Sequence, residues 1–252
     1  MKDRPRDPKH EYLTLYCRNC GHHYAVPVPC KNRFCAVCCS IRFSKIRRRL
    51  NGMVEKQKSQ PNQDIRFLTL TITSEHNIDS MVNRIQKSFR RLRQRARWKR
   101  RVTGGAFVIE ITRPGGKWHA HIHAIICGSY FPFKSLLDQW MQVSTGRGVY
   151  IKKIPAGVAV NYLNKYMTKP DYSLSEDDQL EVSHCLKKAR LFQPFGTWHG
   201  WQKELKNLHP ACKSCGSTTG FTTGWEFGYC ESPSGHAPLG VKEFIEVFID
   251  PF

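Results

Sequence analysis

Histidine occupies every second position in one short segment of the chain. Residues 118–126 read Trp-His-Ala-His-Ile-His-Ala-Ile-Ile, so His119, His121 and His123 alternate with alanine and isoleucine. Because successive side chains of a β-strand point to opposite faces, a strand here would present the three imidazoles on one face and apolar residues on the other. Two neutral imidazoles at positions i and i+2 can hold one divalent metal ion. The segment therefore predicts a metal site built on a strand.

An isolated acidic residue can complete this site. Glu110 interrupts the apolar segment Phe-Val-Ile-Glu-Ile-Thr at 107–112, which would form a strand facing the histidines. We predict that His121, His123 and Glu110 bind the ion. The alternative, that the histidines are structural or surface residues, fits one histidine better than three at alternating positions opposite a lone carboxylate. The donors would also suit a redox iron site, but no other sequence feature indicates one.

Two tyrosines and a lysine follow in a segment with helical spacing. Tyr162 and Tyr166 are four residues apart, and Lys169 comes three residues after Tyr166, so all three would share one helix face. A phenol has a pKa of about 10, and as a nucleophile it needs a nearby cation or metal. Lys169 and the histidine-bound ion could each provide one. Taken alone, the two tyrosines are better interpreted as half-buried aromatics that pack on the core.

The cysteines are arranged for metal binding. Two Cys-x-x-Cys pairs lie close together near the start of the chain, a spacing that can close a tetrahedral zinc site. The predicted ligands are Cys17, Cys20, Cys35 and Cys38. The surplus donors nearby are Cys30, Cys39, His22 and His23. The ligand set could therefore shift to include Cys30, or a second ion could bind.

A second cysteine group lies near the end of the sequence. The pair Cys212-x-x-Cys215 could form another zinc site with Cys230 and one histidine, either His209 or His236. We expect the zinc-binding segments to stabilise a small domain. The two remaining cysteines, Cys127 and Cys185, are expected to be ordinary buried thiols.

Hydrophobic periodicity predicts the elements that position these residues. Helices are expected at 40–57, 78–98, 132–143 and 156–168, and strands at 67–73, 106–112, 118–126 and 149–154. Residues 1–40 show little periodicity, and the stretch 170–200 is mixed. The predicted fold class is α+β, a central antiparallel sheet with covering helices and cysteine-rich zinc-binding segments.

The same patterns suggest three regions along the chain. We expect a zinc-binding and basic helical region at 1–60, a catalytic domain at 61–200 and a cysteine-containing segment at 201–252. No apolar run approaches the length of a membrane span, and the N-terminal residues lack the apolar core of a signal peptide. We therefore expect a cytoplasmic protein with reduced cysteines and no membrane partner.

Positive charge is concentrated in one part of the chain. The formal net charge is +20, and residues 84–101 contain ten Lys or Arg and no acidic residue. Such a run repels itself without compensating glutamates, so phosphate contact is a better interpretation than a solvated face. The predicted DNA-contacting residues are Arg90, Arg91, Arg93, Arg95, Arg97, Lys99, Arg100 and Arg101.

The order of these motifs resembles the HUH endonuclease superfamily. The first motif of that family resembles Phe67–Thr71, its histidine–bulky apolar–histidine motif matches residues 121–123, and its Tyr-x-x-Lys motif matches Tyr166–Lys169. The two-tyrosine form that begins at Tyr162 is similar to rolling-circle replication initiators of small phages and to IS91-type transposases. Three motifs in the same order, across roughly residues 64–170, make the resemblance specific.

Two further segments are similar to plasmid replication initiators (Rep proteins). The Trp-His-x-His-x-His pattern that begins at Trp118 occurs in plasmid Rep and IS91-like proteins. The cysteine segment 30–38 resembles their N-terminal zinc motif, although a proline usually stands where this sequence has Ala36. Within the superfamily the short chain favours a plasmid or phage replication initiator.

The resemblance implies a mechanism. Mg²⁺ or Mn²⁺ would be held by His121, His123 and Glu110, and Tyr166 would attack single-stranded origin DNA to leave a 5′-phosphotyrosine and a free 3′-OH. Tyr162 would be a second nucleophile. Since the sequence contains no Gly-x₄-Gly-Lys-Ser/Thr loop, a host helicase and a polymerase are expected partners. The alternatives are an IS91-like single-strand transposase and a non-catalytic zinc-finger protein that only binds DNA.

Overall fold

The computed structural model describes residues 12–27, 33–61, 64–146, 148–167, 173–186, 192–205, 212, 214–216 and 221–223. Within these ranges, residues 12–16, 23–27, 36, 164–167, 202–205 and 221–223 are described by their backbone alone. The chain divides into two compact units, one formed by Met1–Arg48 and Glu204–Phe252 and the other by Arg49–Lys203. No helix in the described part of the chain is long and apolar enough to cross a membrane.

The described part of the chain contains eight strands and seven α-helices. The strands are β1 (Tyr12–Cys17), β2 (His23–Pro27), β3 (Asp64–Thr71), β4 (Val102–Thr112), β5 (His119–Gly128), β6 (Val149–Lys153), β7 (Gln193–Gly196) and β8 (Phe221–Thr223). The helices are α1 (Ala36–Lys58), α2 (Ile78–Gln94), α3 (Ala96–Arg101), α4 (Phe133–Val143), α5 (Ala156–Met167), α6 (Glu176–Cys185) and α7 (Thr197–Leu205).

A five-stranded antiparallel sheet forms the centre of the unit Arg49–Lys203. The strand order is β6-β3-β5-β4-β7, which places the histidine strand in the middle. The apolar face of β5 is fully buried, with Ala120, Ile122 and Ala124 all 0% exposed. Because small and β-branched residues alternate with the histidines, the strand can bury one face and keep its chemistry on the other. The predicted α+β class with an antiparallel sheet is confirmed.

Helix α2 covers the face of the sheet opposite the histidines. Its side chains Met81 and Ile85 are fully buried, and its Phe89 ring lies 4.8 Å from that of Phe107 on β4. Phe107 pairs with Ala124 in the sheet register, so it belongs to the apolar face of β5. The helical spacing of these apolar residues is what lets one stripe of α2 pack on the sheet.

Helix α5 covers the histidine face. It packs against β3, β4 and β5, with Ala159 and Leu163 fully buried. The Tyr162 ring lies 5.2 Å from the ring of Phe67 on β3, and Phe67 in turn stacks 5.9 Å from His123. The predicted tyrosine helix therefore lies over the sheet face that carries the histidines.

The segment that follows α4 is held tightly against the end of β3. The indole of Trp140 donates a hydrogen bond of 2.9 Å to the backbone carbonyl of Thr71. At Gly146 and Gly148, an added Cβ would overlap atoms of Thr71. Only glycine therefore lets the backbone approach this residue so closely.

The other unit contains a three-stranded antiparallel sheet in the order β2-β1-β8. Strand β1 pairs with β2 along its length and with β8 through Cys17 and Phe221. Residues from the beginning and from the late part of the chain therefore share one sheet. The weak periodicity of residues 1–40 gave no indication of these strands.

Candidate active site and cysteine cluster

The sheet register brings the predicted metal ligands together. His121 lies opposite Glu110 on β4 and opposite Thr71 on β3, while His123 lies opposite Thr69 on β3. Directly opposed residues of antiparallel strands project from the same face. Both histidines and the carboxylate therefore occupy one face of the sheet, as the alternation in the sequence predicts.

His123 is fixed at both of its ring nitrogens. Its Nε2 lies 2.8 Å from Glu110 Oε2, and its Nδ1 lies 3.1 Å from the hydroxyl oxygen of Thr69. The side chain is buried, at 4% exposed. When the Nδ1–H donates to Thr69, the Nε2 lone pair points towards the carboxylate, the orientation that a metal ligand needs. Thr69 belongs to the motif 67–71, but no sequence pattern indicated this supporting role.

His121 is held in its neutral form. Its ring centroid lies 5.8 Å from that of His123 and 4.4 Å from that of His119. Burial, together with the neighbouring His119 and His123, lowers the pKa of His121 from its ordinary 6.5 to about 4, against the opposing effect of Glu110. At neutral pH its lone pair is therefore available to a metal.

The types of donor atom in His121, His123 and Glu110 suit a divalent ion, but the three atoms are too far apart to bind one ion as they stand. Among the described residues, the cysteine cluster below is the only group of three or more candidate ligands whose atoms lie within 4.8 Å of one another. Glu110 and His123 are already adjacent, at 2.8 Å, whereas the three donors, with His121 included, do not meet this spacing. Two imidazoles and one carboxylate suit Mn²⁺ better than Mg²⁺, which prefers oxygen ligands.

The third histidine has a separate partner. His119 Nδ1 lies 2.7 Å from the hydroxyl oxygen of Ser74, in the segment that joins β3 to α2. The residue before it, Trp118, pairs with Glu75 through two backbone hydrogen bonds. This end of the histidine row is therefore attached to the chain that leads into α2, a connection that no sequence pattern indicated.

Tyr162 and Tyr166 lie on successive turns of α5. Tyr162 is half-buried, and its ring contacts Phe67, which supports a packing role. Tyr166 lies one turn farther along α5, about 6 Å along the helix axis. The side chain of Tyr166 and all of Lys169 lie outside the described residues, so their predicted roles stay predictions.

Most of the predicted DNA-contacting residues lie on the surface. Six of the eight are exposed, namely Arg90, Arg91, Arg97, Lys99, Arg100 and Arg101. Arg95 is half-buried and its guanidinium lies 2.5 Å from Gln142 Oε1.

Arg93 differs from its neighbours in the basic run. Its guanidinium lies 5.0 Å from the ring centre of Phe89, 5.1 Å from that of Phe195 and 5.6 Å from that of Phe107. Burial, aided by the charge of Arg90, lowers its pKa. Arg93 therefore packs on an aromatic cluster, where cation–π attraction stabilises its guanidinium, and its predicted contact with DNA stays a prediction.

Four cysteine thiols meet in the smaller unit. The sulfur of Cys17 lies 3.8 Å from that of Cys215, the sulfur of Cys20 lies 3.8 Å from that of Cys212, and all four atoms lie within 4.8 Å of one another. Four thiolates at this spacing are a suitable ligand set for tetrahedral zinc. The zinc-binding cysteine-rich segments of the predicted fold are supported by this cluster.

The grouping of the cysteines differs from the expected one. We expected Cys17 and Cys20 to join Cys35 and Cys38, and Cys212 and Cys215 to form a separate site, but the two outer pairs combine. Cys35 and Cys38 lie where α1 begins, and the amide of Cys38 donates to the sulfur of Cys35 at 3.5 Å. The other predicted donors, Cys30, Cys230, His209 and His236, lie outside the described residues.

A repeated sequence signal accounts for the observed grouping. Each of the two pairs reads Cys-x-x-Cys-Gly, and in each the glycine amide donates to the carbonyl of the first cysteine, at 2.8 Å for Gly21 and 2.7 Å for Gly216. Both glycines have a left-handed backbone, with φ of 68° and 69°. Cys35-x-x-Cys38 is followed by Cys39, so it lacks the glycine that this turn requires.

Crowding keeps the Cys20 thiol protonated unless a cation binds. A hydrogen bond with the backbone of His22 lowers the pKa of Cys20, but desolvation and the thiols of Cys215, Cys17 and Cys212 raise it, to about 11 overall. Zinc binding would therefore release protons. Cys127 is buried, and burial raises its pKa, as expected of an unreactive thiol.

Comparison with known proteins identifies relatives. The model of a family described as "Replication protein" matches residues 23–213. A protein of Staphylococcus aureus called "Protein rep" is 30% identical over 128 residues, which are 46% of this chain and 56% of that protein. A "Protein rep" of Streptococcus pneumoniae serotype 2 is 30% identical over 109 residues, 40% of this chain and 34% of that protein. The matches thus span about half and one third of these relatives. No solved structure matches the chain significantly.

Proposed function

Because this chain belongs to the replication protein family, we propose that it nicks single-stranded origin DNA to initiate rolling-circle replication. One observation carries the proposal. The strand register gathers His121, His123 and Glu110 on one face of the sheet, and the tyrosine helix α5 packs on that same face. A metal site beside candidate nucleophiles is the arrangement that phosphodiester transfer needs.

The three side chains would hold a divalent ion, with Mn²⁺ favoured by the donor set. When bound, the ion polarises the scissile phosphate and stabilises negative charge in the transition state. Thr69 keeps the His123 ring in its metal-binding orientation through Nδ1. Glu110 contributes a negative charge next to His123, at 2.8 Å, which balances part of the charge of the ion.

Tyr166 is the proposed nucleophile. Its phenolate oxygen attacks the phosphorus in line, the bond from phosphorus to the 3′ oxygen breaks, and the departing 3′ oxygen takes up a proton. The products are a 5′-phosphotyrosine and a 3′-OH that a host polymerase can extend, with a host helicase to separate the strands. Lys169 would favour the phenolate through its positive charge.

Tyr162 is the proposed second nucleophile, which would attack after Tyr166 and so allow cleavage and rejoining to alternate. Its contact with Phe67 favours a packing role instead. Tyr162→Phe separates the two roles, because it keeps the ring and removes only the hydroxyl. A variant that completes cleavage and rejoining like the parent protein would exclude Tyr162 as a nucleophile.

The central proposal is tested by covalent capture. Labelled single-stranded origin DNA is incubated with the protein and Mn²⁺, and a denaturing gel separates the protein–DNA adduct. We expect an adduct that Tyr166→Phe abolishes, whereas Tyr130→Phe, a matched change at a residue 65% exposed, leaves it intact. An adduct that survives Tyr166→Phe combined with Tyr162→Phe would overturn the mechanism. Absence of any adduct across origin-derived sequences would favour a zinc protein that only binds DNA.

A further inference from the structure

A polar groove lies between α2 and the end of α4 in the larger unit. Its volume is about 590 Å³. We call it the α2–α4 groove. It is lined by Ser80, Asn83, Arg84, Lys87, Ser88, Arg91, Gln142, Val143, Ser144 and Thr145. Three of them are basic, none is acidic and only Val143 is apolar. The composition suits an anionic, hydrogen-bonding ligand.

Two of the three basic groups carry uncompensated charge. Arg84 is paired with Glu75. Lys87 and Arg91 are exposed on α2, and no carboxylate among the described residues pairs with either of them. Because the two residues are four apart, they lie on one side of the helix and face the same space. The groove therefore has a positive wall.

The shape of the groove indicates an extended ligand. Along α2 its lining runs from Ser80 to Arg91. A helix rises 1.5 Å per residue, so this wall is roughly 16 Å long. Such a length accommodates several phosphates of a strand, whereas a single small anion would occupy only one part of it. With a single apolar side chain in the lining, contact with the sugar–phosphate backbone would dominate over base stacking.

The groove is also connected to the histidine row. Thr145 in its lining receives a hydrogen bond of 2.9 Å from the hydroxyl of Thr73. The next residue, Ser74, contacts His119 at 2.7 Å. Glu75, the partner of Arg84, pairs through its backbone with Trp118. Residues 73–75 are therefore a common wall between the groove and the end of the candidate metal site.

We propose that the α2–α4 groove binds the backbone of single-stranded DNA next to the scissile phosphate. Lys87 and Arg91 contact consecutive phosphates, and the side-chain amide NH₂ of Gln142 donates a further hydrogen bond. The strand then passes residues 73–75 to reach the histidine row. The assignment of the groove to the strand beside the cut rests on the proposed function, whereas the binding of single-stranded DNA does not.

Salt dependence of binding gives the test. The affinity for fluorescein-labelled oligo(dT) is measured by anisotropy at increasing NaCl, with no Mn²⁺ or Mg²⁺ added, so that no cleavage occurs and the metal of the cysteine cluster is kept. Each phosphate contact on a single strand contributes about 0.7 to the slope of log affinity against log salt. The double variant Lys87→Gln/Arg91→Gln removes two such contacts, so the magnitude of this slope should fall by about 1.4. The charge-conserving pair Lys87→Arg with Arg91→Lys should restore it.

A charge-matched control and two competitors sharpen the result. Lys58→Gln with Lys134→Gln removes the same charge from exposed positions outside the groove and should leave the slope unchanged. A groove variant that behaves like this control would overturn the proposal. Duplex DNA that competes better than oligo(dT), or inorganic phosphate that competes equally well, would also overturn it. Since the measurement needs no cleavage, a changed slope with no tyrosine adduct would contradict the proposed function and leave the groove intact.

Discussion

The histidine site and the cysteine cluster are assembled over very different separations in the sequence. Glu110 and His123 are 13 residues apart, on neighbouring strands of one hairpin. Cys17 and Cys215 are 198 residues apart. A hairpin fixes its own register, so the first site follows from a short stretch of sequence. The second forms only when distant parts of the chain meet.

The supports of the two sites differ as well. The histidine strand is the middle of a five-stranded sheet, and its apolar face is completely buried. The cysteine cluster belongs to a three-stranded sheet whose third strand, β8, is only three residues long. The first site should persist without its metal, whereas the second should depend on it.

The largest effect is expected from a change in the cysteine cluster. If the cluster binds zinc, as its four cysteine ligands suggest, Cys215→Ser should abolish that binding, because structural zinc sites have four ligands. Structural zinc contributes about 10–16 kcal/mol in small zinc domains, so amides of β1 and β2 should lose protection from hydrogen exchange. Amides of β5 should keep theirs. Metal analysis and hydrogen-exchange mass spectrometry measure both outcomes.

Cys35→Ser is the matched control for this change. It removes a thiol from a Cys-x-x-Cys pair that lacks the following glycine, so the zinc content should stay as in the parent protein. Loss of zinc in Cys35→Ser, with retention in Cys215→Ser, would restore the grouping expected from sequence proximity.

A smaller effect is expected from the support of the histidine site. Thr69→Val keeps the shape of the side chain but removes the hydroxyl that orients His123. Loss of such a partner lowers metal affinity by about 10- to 100-fold. Titration calorimetry with Mn²⁺ measures the change, and Thr69→Ser should recover most of the affinity. Equal affinities of the valine variant and the parent would show that Thr69 does not orient the ligand.

A further prediction concerns the pH dependence of the stability of the metal-free sheet. The pKa of His121 is about 4 in the folded protein and 6.5 ordinarily, so the unfolded chain binds its proton more readily. Its contribution to stability is therefore complete above about pH 6.5 and is lost as the pH falls towards 4. Urea unfolding followed by tryptophan fluorescence should show a weaker pH dependence for His121→Gln. Identical profiles for the two proteins would contradict the assignment.

Much of the sheet and its site could be predicted because the signals are local. The alternation of histidines with apolar residues at 118–126 predicted a strand, the separation of its two faces and the position of Glu110 on the histidine face. Helical spacing of apolar residues predicted the bounds of α2 and α5 to within a few residues. The supporting contacts of Thr69 and Ser74 could not be predicted in this way. They depend on side-chain geometry across strands, which periodicity does not describe.

The grouping of the cysteines and the contacts of Arg93 could not be predicted from the sequence. Nothing in a spacing rule says which of three Cys-x-x-Cys pairs will meet, and proximity favoured Cys35 over Cys212. The glycine that follows each observed pair was the informative difference. Arg93 lies within a run of similar residues, yet the aromatic rings beneath it come from β4 and β7. A count of charged residues in the sequence cannot predict such contacts between distant parts of the chain.

The close approach of Gly146 and Gly148 to Thr71 limits how the protein can evolve. Thr145, which precedes this pair, lines the α2–α4 groove, and Thr71 lies opposite His121. A larger residue at either glycine would displace Thr71 and with it the edge of the histidine site. Under the proposed role of the groove, substitutions that alter DNA contact would therefore arise on α2, at Lys87 and Arg91, where no close backbone approach restricts the side chain, and not in this loop. We therefore expect the wall formed by this loop to tolerate fewer substitutions than the wall formed by α2.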